Sequence, residues 1–180
     1  MKSKVIFLFL VLLSWIISFS SCEKKNFDEM PPETRSGKNT FGCLIDGDLF
    51  VGGCCAPWMT DVLDAGYRKE SNRLFIIAYG KMNGSPAGMI SIGVNSPQQK
   101  STQKISLAYY FPPTGSCFNF TAWNDGLCTI TRLDTINKIA SGRFEFVGRC
   151  SDEDFNVTDS TTTTQITQGR FDVKFIIYNN

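Results

Sequence analysis

The chain has 180 residues, 42% hydrophobic and 13% aromatic, with 18 basic side chains against 17 acidic, seven cysteines and no histidine. Without an imidazole, Ser-His-Asp and Cys-His catalysis, histidine metal sites and histidine pH switching are excluded, because each needs a group that titrates or ligates near neutrality. A formal net charge of +1, with no run of like charge beyond three residues, offers no electrostatic footprint for nucleic acid, and the length suits one globular domain.

Lys2 and Lys4 precede an apolar run from Val5 to Ile17, and Ser18, Phe19, Ser20 and Ser21 then lead into Cys22. This is the layout of a secretory signal, and its apolar core falls short of the ~20 residues that span a membrane as a helix. Small residues directly before a cysteine resemble the lipobox of bacterial lipoproteins, in which the sulfur is lipidated and the chain is then cleaved ahead of it. Phe19 stands where Leu, Val or Ile is usual. Cys22 is the expected lipidation site and first mature residue, which predicts an exported protein anchored by lipid in the bacterial cell envelope, with the outer membrane the expected location.

Loss of Lys2 and Lys4 with the signal leaves 16 basic and 17 acidic side chains, a net charge of −1 on 159 residues. Several acyl chains, at ~0.8 kcal/mol per buried CH₂, hold a protein on a bilayer where one chain is marginal. The sequence from Glu23 to Thr40, EKKNFDEMPPETRSGKNT, is polar, contains Pro31-Pro32 and lacks apolar periodicity, which is a tether composition. The expected organisation is therefore residues 1–21 as a lipoprotein signal peptide, 22–40 as a lipidated tether and 41–180 as a β-rich globular domain. Asp28 and Glu29 faintly suggest surface export while Lys24 and Lys25 argue against it, so the membrane face stays open.

From Phe41 onward the apolar period is two. Phe41, Cys43 and Ile45 alternate with Gly42 and Leu44, and Asp46-Gly47 supplies a hairpin turn into Leu49-Phe50-Val51. Leu74 to Tyr79 is a compact apolar run, and Asn83-Gly84-Ser85-Pro86 turns it toward the alternating Ile90, Ile92 and Val94. Ile105, Leu107, Tyr109 and Phe111 are expected to share one face of a strand that Pro112-Pro113 ends. Phe118, Phe120 and Ala122 share a face of the next, which Asn124-Asp125-Gly126 turns into Leu127 to Leu133. Ala140, Gly142, Phe144 and Phe146, and then Phe171, Val173, Phe175 and Ile177, mark two more half-buried strands.

Eight or nine short strands with Gly, Asn, Asp and Pro between them predict an all-β fold, an antiparallel β-sandwich, with a small closed barrel as the alternative. Only Met59 to Tyr67, with Thr60 as a cap and Gly66 as a stop, has the pattern of a helical turn.

Three segments carry a resemblance. PPETRSGKNTFGCLIDGDLF at Pro31 to Phe50, LCTITRLDTINKIASGRFEF at Leu127 to Phe146 and ITQGRFDVKF at Ile166 to Phe175 are similar, in the same order, to a family of uncharacterised Bacteroidetes lipoproteins. The cysteine-rich stretch from Gly52 to Trp58 lies outside that pattern. The resemblance implies an exported, lipid-anchored, β-rich domain and assigns no catalytic residue.

With Cys22 given to lipid, Cys43, Cys54, Cys55, Cys117, Cys128 and Cys150 remain, an even number that suggests disulfides in an oxidising compartment. Six cysteines allow fifteen connectivities. The favoured arrangement joins Cys43 to the Cys54-Cys55 pair, Cys117 to Cys128 across a wider loop, and Cys150 to the remaining vicinal cysteine. Buried free thiols, a strained Cys54-Cys55 bridge and a thiolate metal site are the competing readings, the last weakened because neither a C-x-x-C pair nor a histidine is present.

Asp152-Glu153-Asp154 with Asp159 is the densest carboxylate group, but it lacks the order of a calcium loop and fits a solvated turn, as do Asp46 and Asp48. No metal or other cofactor is expected. Among Trp58, Tyr109, Tyr110, Phe111 and Trp123, parity assigns Tyr109 and Phe111 to the core and leaves Tyr110 and Trp123 as the candidate ligand-stacking rings at the surface. The chain therefore reads as a non-enzymatic binding or interaction module with a glycan or protein ligand. A structural envelope component without a ligand site and a carboxylate-dependent hydrolase are the alternatives.

Overall fold

The computed structural model describes residues 28–54 and 62–179. Cys22, Cys55, Trp58 and the signal segment lie outside them. The described residues form twelve strands and no helix: β1 (Thr40–Ile45), β2 (Asp48–Gly52), β3 (Leu63–Arg68), β4 (Arg73–Met82), β5 (Ser85–Asn95), β6 (Ser101–Lys104), β7 (Leu107–Phe111), β8 (Asn119–Trp123), β9 (Leu127–Asp134), β10 (Ile139–Ser151), β11 (Val157–Lys174) and β12 (Ile176–Tyr178). The fold is all-β, with more strands than the eight or nine expected. The stretch Met59 to Tyr67, the one with the pattern of a helical turn, is in its described part β3, whose Leu63 to Arg68 pair antiparallel with β4.

Two hairpins follow directly from their turn residues. Asp46 and Gly47 have φ of 50° and 95°, and Asn83 and Gly84 have 51° and 79°. Positive φ at both central positions matches the twist of flanking strands, and Asn, Asp and Gly are the residues that tolerate it. The first turn places Cys43 opposite Phe50, and the second places Met82 opposite Ser85.

The pairings close into an uneven ring. β1 pairs with β2, β2 with one end of β4, β4 with β5, β5 with β7, β7 with β8, β8 with the last residues of β10, β10 with β11, and β11 again with β1. Closure is thin at the β8–β10 and β2–β4 joints and continuous along β10–β11, so the ring is sandwich-like and not an even barrel. β9 and β6 extend from the free edge of β10, and β3 and β12 extend from β4, with β3–β12 the one parallel pair among the described strands.

Phe41, Phe50, Ile76, Ile90, Ile92, Ile130, Phe144, Ile166 and Phe171 fill the centre. The Phe41 and Phe144 rings lie 5.0 Å apart, and Phe144 and Phe171 lie 6.4 Å apart. From Arg143 to Phe146 the expected alternation of inward phenylalanine and outward charge holds. It breaks at Ser141 and Asp172, outward-facing polar residues that are nevertheless 0% and 1% exposed.

Their cover is the segment ahead of β1. Its composition is that of a tether through residue 40, yet Pro31 and Gly37 are buried against the domain. Glu33 forms a bidentate ion pair with Arg143 at 2.7 Å, Arg132 donates to the Arg35 carbonyl, and Arg170 donates to the Pro31 carbonyl at 3.3 Å.

Candidate functional site

The cysteines divide differently from the favoured arrangement. Cys117 is bridged to Cys150, with Cα atoms 5.4 Å apart, and not to Cys128. The reason is topological: Asn124 to Gly126 does not close a hairpin, because β8 and β9 pair end to end along the same edge of β10 and not with each other. No ladder therefore sets Cys117 against Cys128, whereas the β8–β10 pairing puts Cys150 opposite Phe120 and within reach of Cys117.

Cys43 and Cys128 are free thiols with no exposure. Each points inward from its strand, which corrects the expectation that both are bridged. Burial pushes the Cys128 thiol up to about 12 and the Cys43 thiol higher still. Cys54 is disulfide-bonded, and Cys55 falls outside the described residues.

The assignment of rings is also corrected. Tyr110 is 5% exposed and packs on Phe120, ring centroids 6.3 Å apart. Burial first, then the neighbouring Cys43 and Asp46, push its phenol up. It is a core residue and not a stacking platform. Alternation carried through Ile105 fails because the strand is interrupted there. The Ile105 amide bonds to the Gly126 carbonyl on the β9 side, while the Ser106 amide and hydroxyl both bond to the Gly93 carbonyl on β5. The chain steps between ladders at these two residues, so Ile105 and Tyr110 both point inward while Tyr109 and Phe111 emerge on the outer face.

That outer face carries a continuous band of rings. Tyr109 and Phe111 are 5.4 Å apart edge to face, Phe111 meets Phe118 at 5.4 Å, and Phe155 caps Tyr109 at 5.0 Å and Phe111 at 6.1 Å. Trp123 borders it, its indole N–H donating to the Phe155 carbonyl at 3.3 Å. The outermost rings are accessible, Phe118 at 54% and Trp123 at 55%. Such a band is unusual on a solvated sheet, where large apolar groups normally occur singly.

Three devices position it. The Cys117–Cys150 bridge ties the segment bearing Phe118 to β10. Asn119 donates to the Asp152 carbonyl at 2.7 Å and accepts from Thr121, folding the β10–β11 connection back over β7 and β8. Within that connection Asp152 accepts from the amides of Asp154 and Asn156 at 3.0 and 2.9 Å, and Phe155 sits at a φ of 63°. The acidic run thus builds the turn that delivers Phe155. The sequence signal for it was a lone aromatic inside a polar, acidic stretch.

Two further carboxylates are committed to local structure. Asp159 accepts from the Thr162 and Thr161 hydroxyls and the Thr161 amide, and Asp46 accepts from Thr164 and the Gln165 amide. The Thr162 hydroxyl, then that of Thr161, hold the Asp159 carboxyl well below the usual range. A hollow of about 370 Å³ beside the Pro31 segment is lined by both Glu33 and Glu145. The Arg143 hydrogen bond, however, holds Glu33 below the usual carboxylate range, the opposite of what a general acid needs. Among the described residues no group of three or more His, Cys, Asp or Glu side chains is placed to hold a metal ion.

Comparison of the chain with protein-family models, with curated proteins and with solved structures yields no match.

Proposed function

We propose that this chain is an exported, lipid-anchored binding module of the bacterial cell envelope, tethered through Cys22, and that it binds a glycan through the ring band of β7 and β8. The observation that carries this reading is the accessible aromatic surface running from Phe118 through Phe111 and Phe155 to Trp123. Flat rings offer a desolvated face to the C–H side of a sugar. Those backed by other rings and a hydrogen-bonded turn lose little freedom when a ligand settles on them. The Trp123 N–H is already used within the chain, so this residue contributes a stacking face and not a donor.

The lipid anchor is supported by the signal layout and by small residues preceding Cys22. The reading without enzymatic activity is supported by Asp46, Asp152 and Asp159, which are committed to local hydrogen bonds, and by Glu33, which is paired with Arg143. A glycan array probed with the purified protein tests the binding half. Retained glycans that are lost in Trp123→Ala, with unchanged thermal stability, are the expected result, and a blank array overturns it. The anchor is tested by membrane fractionation and palmitate labelling, both expected to disappear in Cys22→Ala. Continued labelling of that variant would refute it.

A further inference from the structure

Asp172 collects five donors from two directions. From the segment ahead of β1 come the Thr34 hydroxyl at 2.5 Å and the amides of Ser36 at 3.0 Å, Gly37 at 2.8 Å and Lys38 at 3.1 Å. From β10 comes the Ser141 hydroxyl at 2.7 Å. Three successive amides aimed at one anion form a concave nest, here filled by a side chain of the same protein. Gly37 makes this geometry possible: its φ is 72°, and a Cβ would stand 3.0 Å from Lys174 Cγ and 3.1 Å from Ile139 Cγ1.

The clamp continues toward the N-terminus. Glu33 pairs with Arg143, the Arg35 carbonyl accepts from Arg132, and Pro31 packs so closely over Gly42 that a Cβ there would lie 2.5 Å from Pro31 Cδ.

We propose that residues 31–38 are a strap latched by the Asp172 carboxylate, and that the leash to the membrane therefore joins the domain ahead of Pro31 and not at Thr40. The leash length rests on the lipid anchor proposed above; the latch does not. Nine residues, Cys22 to Met30, precede the strap, against nineteen if the domain began only at Phe41. The latch thus holds the domain nearer the bilayer than composition implies and fixes where the leash leaves its surface, beside Gly42 of β1 and Arg170 of β11. Along β10 this point lies toward the end away from the turn that carries Phe155, which leaves the ring band clear of the anchor's exit.

The Arg35–Ser36 peptide bond reports on the latch, because its carbonyl is held by Arg132 and its amide by Asp172. The full chain is digested with limiting trypsin and the products are identified by intact mass. In the wild type, cleavage after Lys24 and Lys25 is expected first, leaving a product that begins at Asn26. Asp172→Ala should yield products beginning at Ser36 and Asn39 about tenfold faster or more, as proteolysis follows the open population. Thr34→Val, which alters only the strap, should accelerate the same cuts to a smaller degree and decides the matter if Asp172→Ala does not fold.

A Ser36 product that forms as early as the Asn26 product in the wild type, or at one rate in all three proteins, overturns the latch. A protected strap on a protein absent from the membrane fraction leaves the latch standing and overturns the anchor and its leash.

Discussion

Ser141 and Asp172 face each other across the β10–β11 ladder, and the Ser141 hydroxyl donates to Asp172 Oδ1 at 2.7 Å beneath the strap. Burial pushes the Asp172 carboxyl up, but the bonds from Thr34, Ser141 and the Lys38 and Gly37 amides outweigh it and hold the group below the usual carboxylate value. A carboxylate with a lowered folded-state value contributes stability that is present above its unfolded value of ~3.9 and lost as the pH falls through the folded one. The wild type should therefore show constant unfolding free energy near neutrality and a decline below about pH 4. Denaturant titrations of Asp172→Asn should show a shallower acid decline on a lower plateau. For Asp172→Ala the loss is roughly 2–6 kcal/mol, at ~1–3 for each of the two buried donors left unpaired.

The Cys117–Cys150 bridge closes a loop over a sequence separation of 33. Loop-closure entropy for that length predicts a contribution of about 3–4 kcal/mol. The double variant Cys117→Ala/Cys150→Ala should unfold at correspondingly lower denaturant and should also loosen the segment carrying Phe118. Amide exchange across residues 112–118, compared with the wild type, measures the second effect. Unchanged stability would show that the bridge only decorates an already ordered turn.

Cys43 and Cys128 should behave as hydrophobic side chains and not as reagents. With the Cys128 thiol at about 12 and Cys43 above it, the reactive thiolate is scarce at neutral pH. Alkylation of the native, unreduced protein should leave both peptides unmodified, and the same treatment in denaturant should label both. Rapid native labelling at either position would contradict the burial.

Tyr110 and Trp123 should separate stability from binding. Truncating buried Tyr110 to alanine removes a ring from a packed interior and should cost about 3–5 kcal/mol, whereas Trp123→Ala should change stability by about 1 kcal/mol or less. If glycans bind the ring band, the order reverses in a binding assay. Trp123→Ala and Phe118→Ala then abolish retention, while Tyr110→Phe retains it.

Much of the fold was legible because its evidence is local. Asp46-Gly47 and Asn83-Gly84 specify their hairpins through backbone preferences confined to two residues. The alternation in β1, β10 and β11 identifies which phenylalanines face inward wherever a strand runs unbroken. Trp123 was recognisable as a surface ring on the same grounds, whereas no periodicity singled out Phe155.

The remainder depended on which strand lies beside which. Parity assigned Tyr110 and Tyr109 to the wrong faces because the chain changes ladders at Ile105 and Ser106, and alternation carries no phase across such a step. The Cys117–Cys150 pairing required β8 to meet β10, a relation between residues 33 positions apart. The strap is the clearest case. Its polar, proline-containing sequence is that of a free tether, and it is held to the domain by residues remote in sequence: Asp172, more than 130 positions away, supplies a carboxylate where three amides converge, and Arg132, Arg143 and Arg170 bind the rest.

The sequence by itself thus determined the β character, the Asp46-Gly47 and Asn83-Gly84 turns, the signal layout ahead of Cys22 and the lack of imidazole chemistry, since each depends on residue type or short-range periodicity. Tertiary structure alone decided which cysteines are bridged, which rings reach solvent and that residues 31–38 pack on the domain. Those properties are set by long-range pairing, whose closure entropy and register no local pattern encodes.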